Sequence, residues 1–351
     1  MMRFLIIGFG IAVLGTGCGA LGPSTVSHDR FDYNLAISES VKNQMLLNMV
    51  KLRYGDVPTF VEVSSVISQY ALENSLNYNY TWVTAIPVQG PSVGGSNKYS
   101  ERPTITYVPL TGEKFTRSLM TPISPSTLIF LVQSGKSVDF VFYLCAQSVN
   151  GINNRYDGPM RSVSINPDFV ELLARLRRIQ QSGMIGMRVQ VTGDKQATVF
   201  YFGKDVSPEI AEDIAWVKQK LGLNPQVSEF KVVYGSTAQQ DEIAILSRSV
   251  MEVLVQQASS IEVSADDLKQ NRVYAVAKTD DPLTERMNVR IRSGKGKPAD
   301  AFVSISYRDK WFWIEDTDFK SKQIFSSLMI LLSLMDSDKG GNQPVISVPL
   351  G

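Results

Sequence analysis

The sequence predicts an α+β fold, with a helix-rich N-terminal part carrying a small hairpin, followed by two α-β-β-α-β units. Three observations lead there. Apolar residues recur at helical spacing in some segments and alternate in others. Gly and Pro punctuate the chain where those segments end. Hydrophobic residues make up 44% of the chain against 20% charged, a balance that builds a core. The 351 residues suffice for one large domain or two of ordinary size. Thirty-five Lys and Arg face 34 Asp and Glu. That near-neutrality argues against a general nucleic-acid binder, which clusters cations to displace counterions from phosphate.

The first element is Met1-Met2-Arg3 followed by an apolar run from Phe4 to Leu14. As a helix that run rises about 16 Å, too short for a hydrocarbon layer of roughly 30 Å. Residues 1–17 therefore read as a signal peptide. Gly15-Thr16-Gly17-Cys18 resembles the lipobox of bacterial lipoproteins, with Leu14 one step further from the Cys than is usual. The resemblance implies that Cys18 is acylated and becomes the first mature residue, and that the protein is a palmitate-bearing lipoprotein of the cell envelope. Gly19 follows the Cys where an Asp would favour inner-membrane retention, so the implied location is the outer membrane, facing the periplasm. The alternative is an ordinary signal peptide cut near Gly17 or Ala20, with Cys18 incidental. Removing residues 1–17 takes away one basic residue, Arg3, and leaves 34 of each sign. Electrostatic docking on anionic lipid is then weak, and acyl chains supply the anchor.

Residues 18–30 read as a lipidated tether, reaching at most about 40 Å. The helix-rich region spans 31–160. Within it, Asn34 to Tyr54 reads as a helix with Ile37, Val41, Met45, Met49 and Leu52 on one face, stopped by Gly55 and Pro58. The Met-bearing face suits either core packing or a partner groove. Val61 to Leu76 is expected to be a second helix, Asn77 to Val83 a strand, Gly90 to Asn97 a loop and Thr104 to Val108 the returning strand. Two apolar helices, Ser126–Gln133 and Val138–Val149, close the region.

The first α-β-β-α-β unit is placed at 161–235. Asn166-Pro167-Asp168 combines an N-cap, Pro at N1 and an acid in the first turn. Phe169, Leu172, Leu176 and Ile179 continue that helix. Ile185 to Val191 alternates as a half-buried strand, and Ala197 to Phe202 returns from it. Ser207-Pro208-Glu209 opens the next helix, and Glu229 to Tyr234 is the closing strand. The second unit, 236–351, is predicted to repeat the order with one added hairpin strand. It comprises a helix over Asp241–Ser260, strands at Met287–Ile291, Ala301–Tyr307 and Trp311–Ile314, a helix over Phe319–Met335 and a final strand at Val345–Val348. The duplicated order resembles the ring-building modules of secretion-system lipoproteins and secretins, a likeness of topology that transfers no functional residue.

Acid–base catalysis at a nucleophilic Ser or Cys needs an imidazole, and His28, in the tether, is the single histidine. Metal sites of His and Cys lack ligands in number, and no cofactor motif is present. Gly294-Lys295-Gly296-Lys297 lacks the spacing of a phosphate loop. Cys145 lies in an apolar run and reads as a buried thiol. The segment with chemistry is Trp311-Phe312-Trp313-Ile314 followed by Glu315-Asp316-Thr317-Asp318. Three readings fit it. Trp311 and Trp313 share one strand face while Asp316 or Asp318 caps the next helix. Alternatively, Trp311, Trp313, Glu315, Asp316 and Asp318 bind a glycan. The third reading has the carboxylates hold calcium. The sequence thus predicts a non-enzymatic lipoprotein that scaffolds or assembles an envelope complex, bound to the membrane by its lipid and to an envelope protein or further copies of itself. The alternative is a glycan- or peptidoglycan-binding lipoprotein.

Overall fold

The computed structural model describes residues 21–67, 70–79, 92–101, 104–155, 165–192, 195–276 and 282–337, and the chain is an α+β protein. Helix α1 (Leu21–Arg53) has 33 residues and is about 50 Å long. Lys51 and Arg53 sit in its last turn, where the helix dipole favours cations, and Gly55 turns the chain with φ +71°. The expected tether over 18–30 is thus already helical from Leu21. The signal segment 1–17 and Cys18 lie outside the described residues.

Strands β1 (Val61–Ile67), β2 (Tyr70–Asn79), β3 (Ser92–Glu101) and β4 (Thr104–Pro109) follow. They correct two expectations. The helix predicted over Val61–Leu76 is β1 and most of β2, and the loop at Gly90–Asn97 runs into β3. Val61, Val63, Val66 and Ile67 are β-branched, stiff at χ1 and at home on a pleated surface. β1 pairs with β4 and β2 with β3, both antiparallel.

Short helix α2 (Gly112–Phe115) passes into a π-turn over Thr116–Met120. Helix α3 (Pro125–Gln133) is capped by Ser124, whose hydroxyl accepts from the Thr127 N–H at 3.1 Å. Helix α4 (Val138–Cys145) ends four residues before its predicted end, because Ala146–Val149 becomes β5 and turns into β6 (Ile152–Asn153). The first unit then appears as predicted: α5 (Pro167–Gln181), β7 (Ile185–Thr192), β8 (Lys195–Phe202), α6 (Pro208–Lys220) and β9 (Glu229–Tyr234).

The second unit departs from expectation at its start. The single helix over Asp241–Ser260 is a strand, β10 (Glu242–Ser247), then helix α7 (Val250–Ala258). Ser249 divides them with a capping box, its hydroxyl accepting from the Glu252 N–H while the Glu252 carboxylate accepts from the Ser249 N–H at 2.8 Å. Helices α8 (Ala265–Lys269) and α9 (Pro282–Met287) follow, then β11 (Arg292–Gly294), β12 (Val303–Tyr307), β13 (Lys310–Ile314) and α10 (Phe319–Ser337). The strand predicted at Met287–Ile291 is instead the end of α9 and an extended segment. Its backbone bonds outside any ladder: the Val289 N–H donates to Gln257 and the Arg290 N–H to Ser321 Oγ, while the Ile291 carbonyl accepts from the Glu262 N–H, all at 2.9 Å. The final strand predicted at Val345–Val348 lies outside the described residues.

The largest sheet has the order β6-β5-β10-β9-β8-β7, antiparallel except where β10 meets β9. It takes strands from either side of residues 160 and 235, so both expected boundaries pass through one sheet. A three-stranded sheet, β11-β13-β12, carries the aromatic segment. Its β12–β13 turn places Arg308 and Asp309 at φ +48° and +61°, the left-handed pair of a tight hairpin. One continuous core joins these layers, with Tyr143, Phe169, Phe230, Phe312 and Phe325 among its largest fully buried side chains. Met45, Leu46, Met49 and Val50 of α1 are buried in it.

Candidate functional site

Strand β13 alternates as its sequence implies. Phe312 and Ile314 are fully buried in the core, while Trp311 and Trp313 stand half-buried on the opposite face. Cross-strand pairing places Trp313 between Arg292 and Ser304, and Trp311 between Gly294 and Ser306. Residues directly opposite share a face, so two indole rings are flanked by small and polar neighbours. Lys297 Nζ lies 5.5 Å from the Trp311 ring centroid, within cation–π range. The Trp313 ring covers Gly294 so closely that a Cβ there would sit 3.2 Å from it. Gly294 thus gives the ring its seat.

The three carboxylates after β13 each have a local partner. Glu315 pairs with Arg292 Nε at 2.9 Å, and Asp316 with Lys322 Nζ at 2.7 Å. Asp318 caps α10: its carboxylate accepts from the Ser321 N–H at 3.0 Å and from the Ser321 hydroxyl at 2.8 Å. Burial pushes the Asp318 carboxyl up, and the two Ser321 bonds overcome this and hold it below the usual range. The acids therefore fasten the corner between β13 and α10. Trp311 and Trp313 lie on one strand face, and Glu315, Asp316 and Asp318 follow in the corner that leads to α10.

A second surface combines residues that the sequence assigned to an inner helix face. A groove of about 600 Å³ runs between α1, β1 and α10, lined by Ile37, Val41, Met45, Phe60, Met329 and Ile330 among others. Met45 forms buried floor, whereas Val41 and Ile330 are 38% and 47% exposed. Six and ten residues before Val41 on α1, Leu35 and Phe31 are 65% and 78% exposed. The helical spacing of Ile37, Val41 and Met45 was legible. Phe31 and Leu35, nearer the N-terminus of α1, nevertheless stay uncovered among the described residues.

Among the described residues no helix is long and apolar enough to cross a membrane. Comparison with protein-family models, with curated proteins and with solved structures returns no match.

Proposed function

We propose that the chain is a lipoprotein held at the outer membrane through Cys18, acting as a non-enzymatic scaffold that contacts further copies of itself through α1. The exposure of Phe31 and Leu35 beside the apolar groove carries this reading. Large apolar side chains exposed along one helix, next to a groove of the same chemistry, are a mark of protein contact. Anchored copies all leave the membrane in one orientation, so the α1 segment of one molecule lies level with the groove of its neighbour. Near-zero net charge removes long-range repulsion between such copies.

A photo-crosslinking residue at Leu35 in intact cells tests the contact. A ladder of self-crosslinks, reduced by Ile330→Asp, is the expected result. Monomer alone overturns self-association, as does a crosslink to a single different protein. The anchor has its own test: Cys18→Ser should move the protein out of the membrane fraction, and unchanged sedimentation would sink the lipid reading.

A second reading, glycan binding, is favoured by the half-buried Trp311 and Trp313 lying between Gly294, Ser304 and Ser306. Indole faces bordered by small residues leave room for a sugar ring to stack. Titration with peptidoglycan fragments, followed by tryptophan fluorescence, should show saturable quenching that Trp311→Ala removes.

A further inference from the structure

A cavity of about 920 Å³ opens on another side of the molecule, where the turn before α4 meets α5, α9 and the first half of α10. Five cations line it, Lys136, Arg177, Arg286, Lys320 and Lys322, against one lining carboxylate, Asp139. In a chain whose charges otherwise balance, this is a local concentration of positive charge. Asp139 is buried and organises two of the cations. It accepts from Arg177 Nη1 at 3.3 Å and from Arg286 Nη2 at 3.0 Å. Two guanidinium groups are thus held side by side, each spending one N–H on Asp139 out of the five a guanidinium carries.

The ammonium groups have lighter commitments. Lys136 Nζ donates to Ser327 Oγ at 3.1 Å, and Lys320 Nζ to the Glu285 carbonyl at 2.9 Å. Lys322 reaches away to Asp316. Phe140, Phe302 and Phe319 add aromatic wall, and Phe319 is largely exposed at the rim. The volume is that of an ordinary small-molecule site.

We propose that this cavity binds a phosphate-bearing ligand, with its phosphate oxygens on the Arg177–Arg286 pair and an apolar or ring portion against the phenylalanines. Planar, forked guanidinium donors match phosphate geometry. With Lys322 committed to Asp316, four lining cations against Asp139 leave three net positive charges, which points to an anionic phosphate ester or a diphosphate. The same chemistry occurs in a phospholipid headgroup and in a free phosphorylated metabolite. The inference does not depend on lipid anchoring or on self-association.

The purified full-length chain would be titrated at low salt with inorganic pyrophosphate, with dihexanoyl phosphatidylglycerol below its micelle concentration, and with dihexanoyl phosphatidylcholine as the neutral control. Saturable binding of pyrophosphate or of the glycerol lipid, but not of the choline lipid, is expected. Whichever of the two binds more tightly identifies the source of the phosphate. Arg177→Gln with Arg286→Gln should weaken it by at least about tenfold. Because that pair neutralises a buried carboxylate, Lys136→Ala with Lys320→Ala serves as a variant that leaves Asp139 paired, and it should weaken binding by about threefold to tenfold. No saturable binding of either anionic probe, or binding indifferent to both variants, overturns the proposal.

Discussion

Tyr54 donates its phenolic proton to Asp267 at 2.8 Å, joining the end of α1 to α8 across most of the sequence. Both side chains are buried, and the same carboxylate receives Lys310 from β13 and the Ser264 hydroxyl at 2.8 Å. Three distant parts of the chain therefore converge on one acid. Burial acts to raise the Asp267 carboxyl. The bonds from Lys310, Tyr54 and Ser264 more than offset it and hold the group at about 2.

This junction predicts a pH dependence. A carboxyl depressed in the folded state contributes stability that is present above its unfolded value, about 3.9, and lost as pH falls through about 2. The amount at stake is roughly 2 kcal/mol. Urea denaturation at pH 5 and at pH 2.5 should show a loss that shrinks by about that amount in Asp267→Asn. An equal loss in both proteins would remove Asp267 as its source.

The alternation of β13 separates two neighbouring aromatics. Phe312→Ala empties a fully buried ring site and should cost about 3–5 kcal/mol. Trp311→Ala, on the half-buried face, should cost about 1 kcal/mol. Trp313→Ala should fall between them, since its ring also covers Gly294. Melting temperatures in the reverse order would place the strand with the wrong face inward.

Cys145 is buried, and burial pushes its thiol up to about 12, with the Arg248 charge pulling the other way. The native protein at pH 8 should therefore leave this thiol unmodified by Ellman's reagent, and guanidinium should expose it. Rapid modification before unfolding would contradict its placement.

Ser249→Ala removes the hydroxyl that caps α7 and should cost about 1 kcal/mol, with Ser249→Thr recovering most of it. Equal stability of all three proteins would mean that the cap is satisfied in another way.

The cap also shows why part of the fold was legible and part was not. In the first α-β-β-α-β unit, helical spacing, alternation and capping residues agree, and each element falls where they place it. Ile243, Ala244, Ile245 and Leu246 give no alternation, because β10 lies inside the sheet between β9 and β5 with both faces covered. An uninterrupted apolar run of that kind merges with the helix after it. The dividing signal was nonetheless present in Ser249-Val250-Met251-Glu252, a serine followed three residues later by glutamate. Val289 and Ile291 illustrate the reverse. They alternate and are buried, yet side chains and the Glu262 N–H, rather than a neighbouring strand, satisfy the backbone there, which no local pattern announces. At the candidate site, the facing of Trp311 against Phe312 followed from period two, whereas the seat of Trp313 on Gly294 depends on a residue 19 positions earlier. The groove beside α1 and the basic cavity are products of tertiary packing and had no local signature.

The position of β10 has a consequence in time. A chain synthesised from its N-terminus makes β5 and β6 about 90 residues before β10, the strand that joins them to β9, exists. Until then β5 and β9 each present an open edge, the kind of surface that pairs readily with the wrong partner. Closure of the sheet must wait for residue 247, and the long sequence separation of the β5–β10 pairing makes that step slow. A chain arrested short of that residue is left with two unsatisfied edges, so the sheet stays open until β10 has been made, with 104 of the 351 residues still to follow.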